Sequence, residues 1–232
     1  MDVAPAQGMI AATGRRPGRH LRLALFIIAM MGAGIALLAH GITVVADGEV
    51  AGTDLAGNPA FDAERFVASL WGSRVLPLMD KATDIGVVLA ARAKDPDAAG
   101  QRYGHRPRAG DGPWNFIVRG EGRIEAAETA MRHATLRVDI GGQDVVLQIG
   151  PVIFGTALRD SLPFIDFDQV VNQIQFAQVS RALNDRASGA ARVGLDLAAL
   201  VPGRRVDFAG AMAGTDPPQV TVVTLRPLGA TP

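Results

Sequence analysis

From Leu23 to Ala46 the chain reads LALFIIAMMGAGIALLAHGITVVA, without a formal charge when His40 is neutral. As a helix this run is about 36 Å long, and the apolar interior of a bilayer is about 30 Å thick. Arg15, Arg16, Arg19 and Arg22 precede it, whereas Asp47, Glu49 and Asp54 follow with no nearby Lys or Arg. This asymmetry predicts a single-pass helix with its amino end in the cytoplasm and the bulk of the chain outside. A cleaved signal peptide is the rival reading, with Val44 and Ala46 as its small residues. The run is longer than the apolar core of such signals, typically 7–15 residues, and an uncleaved anchor is therefore expected. Gly32 and Ala36 form a small-xxx-small pair, read here as filler of the span rather than a helix contact.

The rest of the chain has to fold as the body on this tether. The 232 residues are 48% apolar and 20% charged with zero net charge, which suits one globular domain plus an apolar segment. Neutral balance argues against nucleic acid as a partner, because phosphate binding needs clustered Lys and Arg. The absence of cysteine removes disulfides, thiolate metal sites and cysteine nucleophiles. The expected division is a cytoplasmic tail (1–22), the transmembrane anchor (23–46), a linker (47–60), an outer domain (61–226) and a tail (227–232). Within the outer domain, 61–110 is helical and loop-like, and 111–226 forms a barrel.

Phe66, Leu70 and Trp71 recur at helical spacing, with Trp71 as a core anchor. Gly72 and Pro77 bend or split that helix, and a second piece around Ile85, Val88 and Leu89 ends before Pro96. Residues 95–113 read as loop; there His105 sits among Arg102, Arg106 and Arg108, and Tyr103 marks a groove edge. From Trp114 the period changes. WNFIVRGEGRIEAAET, ATLRVDI, DVVLQIG, RRVDFAGAM and QVTVVTLRP read as strands, with Gly141-Gly142 a hairpin turn and RGEGRIE a bulge. About five strands with one inserted helix predict an α+β fold built on a small, partly open barrel, with the earlier helices packed outside.

The inserted helix is expected over 169–186, with Asp166 or Asp168 as its cap. Phe167, Val170, Val171, Ile174 and Ala177 fall on one stripe and Phe176, Val179 and Leu183 on nearly the opposite one, which predicts cover on both sides. Asn172 lies within the second stripe, and Gln173, Ser180 and Asn184 form a polar seam beside it. A buried Asn172 amide has to find a loop backbone or a ligand. Arg159, among Leu158, Leu162 and Phe164, needs an anion, with Asp160, Asp166 and Asp168 nearest. Thr156, Arg159, Asp160, Asn172 and Gln173 are therefore the candidate ligand-binding residues. Their amide, carboxylate and guanidinium groups suit sugar hydroxyls, with Trp71 or Trp114 available to stack. The competing reading is that the same groups only knit loop to helix.

GPVIFGTALRD followed by FDQVVNQIQFAQVSRALN, with FDAERFVASLWGSRVLPLMDKA and DPDAAGQRYG upstream and GRRVDFAGA downstream, resembles a bacterial family catalogued as domain of unknown function 2291. Its members are described as periplasmic lipoproteins. The resemblance covers roughly residues 60–226 and implies an oligonucleotide/oligosaccharide-binding-like (OB-like) barrel and gene neighbourhood with sugar ABC transporters, without established chemistry. One feature departs from the family label: a lipoprotein needs a lipidated cysteine, and this chain has none. The transmembrane helix replaces the lipid as tether in this reading.

No Gly-x-Ser-x-Gly elbow, calcium loop or phosphate cradle occurs. The first expectation is therefore a non-enzymatic periplasmic accessory domain on the inner membrane, without cofactor or metal. Its expected partners are a sugar ligand and the permease or solute-binding protein of an ABC transporter. The second is an envelope assembly factor that binds another protein through its barrel surface, with no pocket behind Arg159. The third is a carboxylate-dependent hydrolase, which requires two carboxylates facing one cleft.

Overall fold

The computed structural model describes residues 61–107 and 112–229, which belong to one compact unit, Pro59–Pro232. The anchor expected over 23–46, the tail 1–22 and the linker 47–60 lie outside the described residues. Among those described, no helix is long and apolar enough to cross a membrane.

The chain enters through α1 (Ala63–Leu70), capped by the Asp62 carboxylate on Arg65 N–H. It continues through a π-helical turn, Trp71–Val75, into α2 (Leu76–Asp80). Gly72 and Pro77 thus widen the helix by one turn instead of splitting it. Asp84 ends a two-residue strand β1 (Thr83–Asp84) and caps α3 (Ile85–Lys94).

The loop expected over 95–113 is partly helical: α4 spans Pro96–Tyr103, followed by β2 (Gly104–His105). The cause is local. The Asp95 carboxylate accepts from Asp97 N–H and Ala98 N–H, and Pro96 stands at the first helical position, where its missing N–H costs nothing. His105 Nδ1 lies 2.8 Å from the Asp160 carbonyl, so this histidine is half-buried rather than part of a solvated loop.

The strands follow the expected order: β3 (Asn115–Glu128), β4 (Thr135–Ile140), β5 (Gln143–Gln148), β6 (Arg205–Ala213) and β7 (Gln219–Leu228). Gly141 and Gly142 both take positive φ in the β4–β5 hairpin, a conformation that costs glycine nothing. The long strand β3 pairs with β6 from Asn115↔Ala213 to Arg123↔Arg205. Its other edge is shared by β2, β1 and β4, the last beginning at Arg123↔Asp139 and shifting register between Ile124 and Ala126. β5 then pairs with β4 and, in parallel, with β7, and β7 pairs with β6. The pairings run round a ring, but the β5–β7 seam holds only at Val146↔Gln219, Leu147↔Val220 and Gln148↔Thr221. The barrel is closed in part and weakly at that seam.

Two cores flank the sheet. Phe116, Leu136, Leu147, Phe208 and Val222 fill the barrel, joined by Ile85, Val88 and Leu89 of α3. On the outer face, Ala209, Ala211 and Val223 meet Val67, Trp71 and Val75 together with α5 (Ala157–Ser161) and α6 (Gln173–Arg192). Covered on both faces, β6 and β7 bury successive positions, 208–212 and 220–223.

Helix α6 starts at Gln173 and ends at Arg192, displaced from the expected 169–186. Residues Phe167–Gln169 form a separate 3-10 turn, and the cap of α6 is Asn172 rather than Asp166 or Asp168. Only one of the two predicted apolar stripes is covered. Phe176, Val179 and Leu183 are buried, whereas Val171 and Ile174 are 85% and 71% exposed. The other stripe loses its cover because Phe167, Val170 and Val171 precede the helix and do not continue its periodicity.

Candidate binding cleft

Between β5 and α5 the chain crosses α6 as the segment Gly150–Thr156. Three α6 side chains spaced four residues apart reach its carbonyls. Ser180 Oγ donates to Gly155 O at 3.5 Å, Asn184 Nδ2 donates to Gly155 O at 3.0 Å, and Ser188 Oγ donates to Gly150 O. Residues at i, i+4 and i+8 lie on one helical stripe, so a single face of α6 holds the segment down. From the barrel side, Gln148 clasps Phe154 at both backbone groups. Its Oε1 accepts from Phe154 N–H at 3.0 Å and its Nε2 donates to Phe154 O at 3.3 Å. Val152 N–H donates to Arg132 O, and His133 Nδ1 lies 3.0 Å from Val152 O.

This fixed segment and α6 border an open cleft of about 620 Å³, a volume within the usual range for small-molecule sites. Arg132, Phe154, Thr156, Arg159, Arg181 and Asp185 are among its lining. Phe154 is 63% exposed, and its ring is braced by the His133 imidazole, centroid to centroid 4.6 Å. Asn184 also lines the cleft and is only 6% exposed. Its nitrogen must face the two carbonyls it serves, which places the amide oxygen on the other side. That oxygen has no hydrogen-bond partner within the protein.

Of the five residues expected from sequence, Thr156 and Arg159 line this cleft. The anion that Arg159 needs is Asp160: Arg159 Nε and Nη2 each lie 2.7 Å from Asp160 Oδ1. Thr156 Oγ1 donates to the other carboxylate oxygen. The guanidinium also stacks 3.8 Å over the Phe176 ring and donates to Phe176 O. Asp160 thus stands behind Arg159 and orients it. Asn172 is exposed, not buried: its Oδ1 accepts from Gln175 N–H at 2.9 Å, while Gln175 Oε1 accepts from Val171 N–H. Asn172 and Gln173 form the first turn of α6 and are not among the cleft residues. Trp71 is buried in the outer core, and Trp114 donates to Asp97. Neither lines the cleft.

Sequence reasoning missed Arg132, Phe154, Arg181, Asp185 and Ser188. Ser188 was legible as the third member of a spacing that already held Ser180 and Asn184, but it lay beyond the expected helix end. The other four depend on which way a loop crosses a helix, and no periodicity encodes that.

Residues 33–227 match the sequence profile of a family described as predicted periplasmic lipoprotein, domain of unknown function 2291. The crystal structure of an OB-fold protein from Thermotoga maritima superposes with a TM-score of 0.54 at 17% identity, covering 72% of this chain and 98% of that one. The Schizosaccharomyces pombe Stn1–Ten1 complex superposes over 48% of this chain and 57% of that one, with 16% identity and a TM-score of 0.24. No curated protein matches the sequence. The Thermotoga protein's likeness is one of fold, in agreement with the partly closed barrel and its inserted helix.

Proposed function

Since the chain belongs to the predicted periplasmic lipoprotein family of unknown function, domain of unknown function 2291, we propose that it is a non-enzymatic accessory domain of the bacterial envelope that binds a small hydroxylated or anionic solute. The observation that carries this reading is the cleft of about 620 Å³ between the Gly150–Thr156 segment and α6, lined by both charged groups and an exposed aromatic ring. Such a mixture suits a solute with several hydroxyls, held by fixed polar groups against an apolar face. The apolar run 23–46 serves as the tether to the inner membrane, in place of the lipid that a cysteine-free chain cannot carry. The partner in this reading is a sugar ABC transporter, through its permease or its solute-binding protein.

The test is calorimetry of the full chain in nanodiscs against a panel of sugars, together with cross-linking in cells to the transporter's permease and binding protein. Heat with a sugar or a specific cross-link is the expected result. Absence of both overturns the proposal.

A second reading, an envelope assembly factor, draws on the exposed Val171 and Ile174 next to the half-covered Phe167, 38% exposed. It expects no pocket behind Arg159 and an apolar groove or exposed sheet edge instead, and stands second because Arg159 lines the cleft described above. The hydrolase reading requires two carboxylates facing one cleft; among the described residues that line this cleft, Asp185 is the one carboxylate.

A further inference from the structure

The cleft carries more positive charge than its own carboxylates meet. Three guanidinium groups line it, from Arg132, Arg159 and Arg181. Arg159 is committed to Asp160 at 2.7 Å and to the Phe176 ring. Among the described residues, Arg132 and Arg181 lie within ion-pair distance of no carboxylate. Two uncommitted guanidiniums therefore face the single carboxylate of Asp185. Arginine at such a position favours planar oxyanions, to which it donates two parallel hydrogen bonds.

One other feature restricts the rest of the ligand. Phe154 is exposed, its backbone is clasped by Gln148, and its ring rests against the His133 imidazole at 4.6 Å between centroids, so it offers a supported flat surface. A flat apolar surface next to polar groups suits the C–H face of a pyranose or furanose. The cleft thus asks for an anion and a ring face in one molecule.

We infer that the cleft binds an anionic monosaccharide, a sugar acid or a sugar phosphate, with its charge on Arg132 and Arg181 and its ring on Phe154. This rests on the solute-binding reading above and narrows it. The full chain in nanodiscs is titrated at low salt with three ligands of one series, D-glucose, D-glucuronate and D-glucose 6-phosphate, and with the galactose, mannose and ribose counterparts.

At least one anionic sugar binds about tenfold or more tightly than its neutral parent, the size expected of one charge-assisted contact. Arg132→Gln and Arg181→Gln each remove about tenfold of the anion's affinity and leave the neutral sugar's unchanged. Phe154→Ala weakens both classes. The carboxylate and phosphate arms identify which oxyanion is preferred. Both arginines are exposed, so an unchanged melting temperature of each variant separates lost contact from lost fold. Equal affinity for neutral and anionic sugars, or full anion affinity in the double arginine variant, overturns this inference and leaves solute binding intact. Heat from no member of the panel overturns both.

Discussion

Asn172 caps the first turn of α6 through a single contact to Gln175 N–H, whereas Asn184 bonds two carbonyls of the crossing segment from the middle of the same helix. The two amides look alike in sequence, and helical spacing assigns the hydrogen-bond demand of a buried amide to Asn172. The demand was real but belonged to Asn184. Helical phase counted from 169 placed Asn172 within an apolar stripe; the helix starts at Gln173. Asn172→Ala should cost about 1 kcal/mol, as for other capping residues, and leave solute affinity unchanged. Asn184→Ala should cost about 1–3 kcal/mol, because it strips the donor from Gly155 O. Urea unfolding of the two variants checks both, and a loss below about 0.5 kcal/mol at Asn184 would show that it does not anchor the segment. The Arg159 demand for an anion was legible and fell on its chain neighbour Asp160, since both side chains are about one-eighth exposed and cannot leave the charge unmet.

At the scale of elements, strands read more faithfully than helices. Leu136 and Val138 alternate with Arg137 and Asp139, and the barrel core takes up only the apolar pair. β6 and β7 were legible for a different reason: Ala209 and Ala211 leave room for the outer helices, so both faces stay apolar. Helix α4 was not legible, because its sequence PDAAGQRY has little apolar periodicity, and its start depends on the Asp95 cap and Pro96. The side of α6 that matters was legible only as one of two. Leu183→Ala should therefore destabilise by about 2–5 kcal/mol, as expected for a fully buried leucine. Ile174→Ser, on the stripe that remains open, should change stability by about 0.5 kcal/mol or less. Thermal or urea unfolding checks both. A large loss at Ile174 would mean that this stripe is covered in the folded protein after all.

At the scale of the whole molecule, the barrel has one weak seam, and the candidate cleft hangs from it. β3 and β6 share a long antiparallel register, whereas β5 and β7 share three residue pairs with parallel geometry. Fewer pairs leave fewer bonds to break in a local opening, so the seam is expected to open at lower free energy than the β3–β6 ladder. The same seam holds Gln148, which pairs with Thr221 through its backbone and grips Phe154 through its side chain. Opening it is expected to loosen Gln148 and, through it, the Phe154 wall of the cleft. A solute in the cleft favours the closed state, by an amount set by its concentration relative to its dissociation constant.

Amide hydrogen exchange measures both halves of this argument. Without ligand, the Val146 amide, which donates to Pro218 O at 2.9 Å across the seam, should exchange faster than that of Val118 or Phe208 in the β3–β6 ladder. At about one hundred times its dissociation constant, a bound solute should stabilise the closed state by about 2.7 kcal/mol, slowing Val146 exchange by about a hundredfold. The barrel ladder, exchanging through global unfolding, should slow by a similar factor, because the solute is lost in that opening too. Slowing at the ladder with none at Val146 would mean that the seam opens without disturbing the bound solute, and that the cleft and the barrel closure are independent.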